Sequence, residues 1–358
     1  MALKVFDSGE ATRYPTYATG DTGGWTKIAN QPSKWQIWTT RADTGAGVQT
    51  TVKYSGTTAY RILTAPNTAC IAALRRTLGP TALPECYLSV MVQFSTLTTC
   101  DILQLMSSAA ATSVKITRNA ASQLLVYAGA TLKKTIDTDW GGNEWHKIQL
   151  HLKTSTNTLE IILDDGSIID CSGTAMADAY YLLLGALTYA GAVTNMYYDC
   201  IQVNDPSGSV NNSWPTSPLI PTALRPSSDD PASTDWTRSS GSNDFDMIKE
   251  TNPDLDSTYV YSTVAGNDSL YGFTDLAEPA NAEIIGVCLT IVAKRSDAAQ
   301  VIPLVYRGGT TVELTAVDIG PDYMDPIEVI IELDPIAVGP WTQTNLNATE
   351  FGFKHVQV

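Results

Sequence analysis

The sequence predicts an all-β chain folded as two β-sandwich domains joined by a Pro/Ser-rich linker. Three observations carry this. Apolar residues alternate with period two along most of the chain, no sustained helical stripe interrupts them, and the composition breaks sharply between Asp205 and Asp235. Period-two alternation turns one face of a strand to a core and the other to solvent. With 358 residues, 44% hydrophobic and 16% charged, the chain is long enough for two cores and too apolar to be disordered.

The expected strands of the first domain, residues 1–205, run in order from Gln49–Tyr54 and Ala59–Leu63 to Tyr87–Phe94. Asp101–Met106, Ser113–Thr117, Gln123–Tyr127 and Trp145–Leu152 follow, then Leu159–Leu163, Leu182–Thr188 and Tyr197–Val203. After Leu163 the chain meets Asp164-Asp165-Gly166-Ser167 and then Ile168-Ile169. Asp-Gly between apolar runs predicts a two-residue hairpin, because both central positions need φ > 0.

Six of the 18 prolines fall between Asp205 and Asp235, among many Ser, Thr and Asn. Such a stretch makes neither a helix nor a central strand, so residues 206–225 are read as a linker. Leu219–Leu224 is a candidate edge strand within it. Residues 226–358 then alternate again, at Thr258–Ser262, Ser269–Phe273, Ile284–Ala293, Val301–Tyr306, Thr311–Ala316, Ile327–Glu332 and Phe351–Val356. That strand density fits a smaller, jelly-roll-like sandwich, with a short helix before the last strand. The run Phe351–Val358 is expected to pack on a neighbouring copy, with internal pairing as the alternative.

The net charge of −15 is unevenly spread. Residues 1–214 hold 16 acidic and 15 basic side chains, whereas residues 215–358 hold 21 acidic and 7 basic. A domain that acidic repels phosphate, so nucleic acid is not an expected partner. The opening residues lack an apolar signal-type stretch, and Ala179–Val193 is shorter than the roughly 20 residues a membrane helix needs, so no membrane partner is expected either. The six cysteines form no CxxC pair, and they read as buried free thiols rather than a disulfide framework.

Trp145-His146-Lys147-Ile148-Gln149-Leu150, the Asp165-Gly166 turn and Tyr197-Tyr198-Asp199-Cys200-Ile201-Gln202-Val203 resemble the closing strands of concanavalin-A-like lectin/laminin-G sandwiches. The continuation Asn204–Ser213, with Ala223-Leu224-Arg225-Pro226, Ser257–Val260, Asp268–Phe273, Leu333-Asp334-Pro335, Trp341-Thr342 and Phe351–Lys354, is similar to a family of structural proteins of tailed bacteriophages. The resemblance covers about residues 140–358. It implies a virion location, with other virion proteins and copies of the chain itself as partners.

Catalytic patterns are sparse. The glucanase-type Glu-x-Asp-x-x-Glu run is approached only at Glu332-Leu333-Asp334, and Ala337 occupies its last place. No Gly-x-Ser-x-Gly elbow is present, and a spacing of five puts His146 and His151 on opposite faces of one strand. No cofactor is expected. Calcium is the one ion considered, with Asp21–Gly24, Asp43–Gly45 and Asn243-Asp244 as candidate loops. For a glycan the candidates are Trp25, Trp35 and Trp38, since sugar C–H faces stack on indole rings. Strand geometry sends Trp35 and Trp38 to opposite faces, so at least one belongs to the core. The sequence thus leads to a non-enzymatic virion component, a capsid- or tail-attached decoration, spike, fibre or adaptor. A carbohydrate-binding adhesion protein contacting host glycans is the alternative.

Overall fold

The structure is a computed structural model of the full chain. It describes residues 3–7, 18–21, 35–55, 59–64, 70–96, 99–189, 194–215, 221–250, 253–277, 282–296, 298–323 and 326–357. These are almost entirely β, and they fall into two compact units, Met1–Pro221 and Thr222–Val358.

In the first unit the strands are β1 (Leu3–Asp7), β2 (Ala18–Asp21), β3 (Trp35–Gln49), β4 (Ala59–Leu63) and β5 (Cys70–Thr77). They continue with β6 (Glu85–Phe94), β7 (Cys100–Met106), β8 (Thr112–Arg118), β9 (Gln123–Ala128) and β10 (Thr131–Asp137). The last are β11 (Trp145–Lys153), β12 (Thr158–Leu163), β13 (Ile169–Asp170), β14 (Tyr181–Tyr189) and β15 (Asn195–Asn204). One layer runs β10-β9-β8-β7-β14-β5-β3, the other β3-β4-β15-β6-β11-β12-β13, with β1 beside β15 and β2 beside β3. β3 belongs to both layers: Trp35–Thr39 pair with β5, and Gly45–Gln49 pair with β4.

Alternation explains the core. Leu88, Val90, Val92 and Phe94 of β6 and Ile148, Leu150 and Leu152 of β11 point inward and are fully buried against Leu103, Leu105, Ile116 and Leu184 of the facing layer. Gly185 of β14 has φ +89°, and a Cβ there would lie 2.5 Å from the Ala72 carbonyl oxygen of β5, so the strand bends where only glycine fits.

Three expectations are corrected in this unit. Residues 50–55 form bends rather than a strand, since the Gln49 Oε1 takes the N–H groups of Thr51 and Val52 and closes the chain on itself. The turn after Leu163 sits one residue early: Asp164 (φ 47°) and Asp165 (φ 59°) are the left-handed pair, and the Gly166 N–H closes it on the Leu163 carbonyl at 2.9 Å. The stretch taken as linker from residue 206 packs on the first unit as far as Pro215, as described below.

The second unit contains β16 (Pro226–Thr234), β17 (Thr237–Arg238), β18 (Val260–Tyr261), β19 (Asp268–Phe273) and β20 (Val287–Ile291). β21 (Ala299–Arg307), β22 (Thr310–Glu313), β23 (Val317–Asp318), β24 (Ile327–Ile331), the helix α1 (Gln343–Asn347) and β25 (Glu350–Gln357) complete it. The main sheet runs β16-β19-β25-β21-β22, with β23 on β21, while β17-β18 and β20-β24 form separate pairs. Val305, Phe351, Ile331, Trp341 and Leu346 make one core cluster, and Val301, Ile319 and Ile327 another. The last strand, β25, lies inside the sheet, paired with β19 and β21. The residues of this run through Gln357 are paired internally, the alternative to the expected packing on a neighbouring copy; Val358 lies outside the described residues. The strand that opens the unit is β16; Leu219 and Ile220 lie outside the described residues.

Candidate functional site

The densest group of chemistry-bearing side chains lies on the outer face of the first unit, across β6, β11 and β12. Because the even-numbered residues of β6 and β11 fill the core, the odd-numbered ones face outward. Register then sets Tyr87 beside His151, His151 beside Glu160, and Glu85 beside Lys153. His151 Nδ1 lies 2.9 Å from Glu160 Oε2 and its Nε2 lies 3.1 Å from Glu85 Oε1. Glu85 also takes Lys153 Nζ at 2.9 Å and the Tyr87 hydroxyl proton at 3.2 Å. The Tyr87 and His151 rings stack at 4.3 Å with an interplanar angle of 6°.

Burial raises Glu85, but hydrogen bonds from Lys153, His151 and Tyr87 more than offset it and hold the carboxyl below its usual range. Burial, with Glu85 behind it, pushes the Tyr87 hydroxyl up to about 12. Two carboxylates therefore bracket one imidazole, with an ammonium and a phenol supplying further protons.

A strap of main chain covers this row. The Trp214 indole meets the Tyr87 ring edge-on at 5.7 Å and the His151 ring at 5.8 Å. Gln149 Nε2 donates to the Pro215 carbonyl at 2.5 Å, and Asn204 Nδ2 donates to the Ser213 carbonyl at 3.0 Å. Gln149, Gln202 and Asn204 are thereby buried on a face that would otherwise be wet.

A second group lies at the end of β11. The Asp164 carboxylate accepts from Trp140 Nε1 at 2.8 Å, lies 3.0 Å from His146 Nδ1, and accepts from the Lys147 N–H at 2.7 Å. Burial raises this carboxyl, while the bonds from His146 and Lys147 outweigh it and lower it. The His146 ring stacks on Trp140 at 4.3 Å on the core side, so the strand does part the two histidines, His146 inward and His151 outward. Lys147 Nζ reaches over to Asp165 at 2.8 Å.

A third group is the bulge in β15. Asp199 is fully buried, and it accepts from the N–H groups of Tyr54 at 2.9 Å, Ser55 at 3.1 Å and Cys200 at 2.7 Å. Burial dominates here and pushes the carboxyl up to about 6. Cys200 adopts φ 49°, which tips the strand so that Asp199 can hold the 50–55 bend.

The residues singled out in the sequence fare unevenly. Trp25 lies outside the described residues, as do Thr22, Gly23 and Gly24. Trp35 is fully buried, 5.2 Å from the Tyr60 ring, and so presents no face to a sugar. Trp38 lies on β3, but its side chain is outside the described residues. Asp43–Gly45 lies within β3, with Thr44 buried and the Asp43 side chain outside the described residues. Asp244 pairs through Oδ1 with Arg238 at 2.9 Å, and the Asn243 amide donates to Asp246 at 2.8 Å. Among the described residues no group of three or more His, Cys, Asp or Glu could hold a metal ion. Asp334, in the glucanase-like run, is buried, paired with Arg307 at 2.8 Å and accepting from the N–H groups of Ile336 and Ala337. Of the six cysteines, Cys86, Cys100 and Cys171 are free thiols, and the side chain of Cys70 lies outside the described residues. Burial pushes Cys86 and Cys100 up to about 12, far from the nucleophilic thiolate.

Sequence reasoning did not bring Glu85, His151 and Glu160 together. Their signal was available in principle, because all three sit at outward positions of patterned strands, but cross-strand register is needed to align them.

No protein-family model matches the chain, and no curated protein matches it. Among solved structures, a sialidase is similar over 55% of this chain and 19% of its own, with 9% identity and a TM-score of 0.39. The chain thus spans about a fifth of that protein's length. An alginate lyase of polysaccharide lyase family 7 is similar over 45% of this chain and 78% of its own, at 9% identity and a TM-score of 0.32. Lectin II from Ulex europaeus is similar over 44% of this chain and 92% of its own, at 12% identity and a TM-score of 0.30.

Proposed function

We propose that the chain is a non-enzymatic structural component of a bacteriophage particle, attached to capsid or tail. The observation that carries the non-catalytic reading is the engagement of the reactive groups: Glu85, His151, Glu160, Asp164 and Asp334 are each hydrogen-bonded or ion-paired to neighbours that hold strands and turns in place. A catalytic acid or base needs a proton-accepting or proton-donating atom aimed at a substrate position. The likeness of Asn204–Ser213 and of the motifs in the second unit to phage structural proteins supports the particle location. Attachment by symmetry-repeated copies would turn weak contacts into firm ones. Mass spectrometry of purified particles should find the chain, and cryo-electron microscopy should show its density on the capsid or tail. Intact particles without the chain, beside a stable monomer in the lysate, would overturn this.

The second reading, a carbohydrate-binding adhesion role, is favoured by one feature of the second unit, an exposed pair of tyrosines, Tyr261 on β18 and Tyr259 just before it.

A further inference from the structure

Tyr259 and Tyr261 are two residues apart, so the extended chain turns both rings to one side. Their centroids lie 6.0 Å apart with an interplanar angle of 54°. They remain 38% and 46% exposed, whereas Tyr271 of the same unit is buried at 1%. The backbone beneath them is firmly held: the Ser239 N–H donates to the Tyr259 carbonyl at 2.9 Å and the Tyr259 N–H to Ser239 Oγ at 3.0 Å. The backbone that carries the rings is thus held, and the rings are left partly exposed within the unit, an arrangement that suits adhesion to something outside it.

Polar groups gather on the turn that leads into the pair. The Tyr323 hydroxyl donates to Asp256 Oδ1 at 3.0 Å, and Lys294 pairs with Asp256 while its Nζ sits 5.0 Å over the Tyr323 ring. The Tyr323 hydroxyl also lies 3.4 Å from the Leu255 carbonyl oxygen, so it sits against the turn at Asp254–Asp256 that runs into Tyr259. Asp254 is turned toward them by Thr258, whose N–H donates to its Oδ1 at 2.8 Å.

We propose that Tyr259, Tyr261 and Tyr323, with Asp254, Asp256 and Lys294, form a binding surface for a neutral saccharide chain. Pyranose C–H faces stack on the two open rings, sugar hydroxyls donate to the carboxylates, and Lys294 donates to sugar oxygens. Charge selects the neutral class: residues 215–358 carry 21 acidic against 7 basic side chains, a field that repels uronate, sulfate and phosphate polymers. This surface goes beyond the particle reading and does not depend on it.

The test uses the full purified chain in affinity electrophoresis through gels holding dextran, galactomannan or alginate. Retardation by dextran or galactomannan is expected, weakened about tenfold or more in the double variant Tyr259→Ala/Tyr261→Ala and kept in Tyr259→Phe/Tyr261→Phe. Tyr261→Ala alone changes one exposed ring and gives the same reading should the double variant misfold. Equal retardation of the wild type and the Ala variants, retardation by alginate alone, or none by any of the three polymers would overturn the proposal. Failure here leaves the particle location standing, and absence from particles leaves this surface standing.

Discussion

At the scale of single residues, Asp199 makes the clearest statement about pH. Its carboxyl is pushed up to about 6 by burial, against an ordinary value of 3.8. The folded chain therefore binds this proton more tightly than the unfolded chain between about pH 4 and 6. The contribution is complete below pH 4 and is lost as pH rises through 6. Its size, taken from that shift at about 1.4 kcal/mol per unit, is roughly 3 kcal/mol. Other carboxylates act in the opposite sense, Asp164 and Asp334 among them, so the measurement is a difference. Denaturant unfolding of wild type and Asp199→Asn at pH 4.5 and 7.5 should show the wild type losing ground to the variant at the higher pH. Parallel behaviour of the two proteins would show that the site does not titrate in this range.

At the scale of elements, β25 depends on a close approach. A Cβ at Gly352 would lie 1.9 Å from the Ser269 carbonyl oxygen of β19, so any side chain forces the two strands apart. Gly352→Ala should cost about 3 kcal/mol or more, since backbone rather than a flexible side chain must yield. Hydrogen exchange should then quicken in residues 222–358 and stay unchanged in the first unit. Unaltered exchange around β19 and β25 would contradict this packing. The same scale shows what the sequence made legible. β6, β11, β12 and β15 alternate cleanly and were readable to within a residue or two, as were β19, β21 and β25. β3 was not, because its run of Thr, Ala, Asp and Gly between Thr39 and Gly47 shows no apolar period. β10 and β16 escaped for a related reason: one is an almost wholly exposed edge strand, the other carries two prolines. The candidate site was hidden differently, since Glu85 is 66 residues from His151 in sequence and the three side chains meet only through strand register. Tyr259 and Tyr261 were read as part of a strand, and their exposure became visible only in the structure.

At the scale of the whole molecule, the first unit keeps its chain through Pro215. Three contacts hold this strap, the Asn204–Ser213 bond, the Gln149–Pro215 bond and the Trp214 ring contacts. Limited proteolysis is expected to cut beyond Pro215 before it cuts within 207–215, and to leave fragments matching the two units. Trp214→Ala should expose the strap and bring forward cleavage between residues 207 and 215, read by mass spectrometry of the early products. Early cleavage at 207–215 in the wild type would show that the strap is not held.

The sharing of β3 between both layers has a mechanical consequence. A sandwich whose layers meet only through side chains can be parted by sliding apolar surfaces past each other. Here Trp35–Thr39 are bonded into one layer and Gly45–Gln49 into the other, so a pull that separates the layers also loads this strand along its length. Its backbone hydrogen bonds then resist together in shear instead of opening one after another, and the first unit should give way under tension at β3 last.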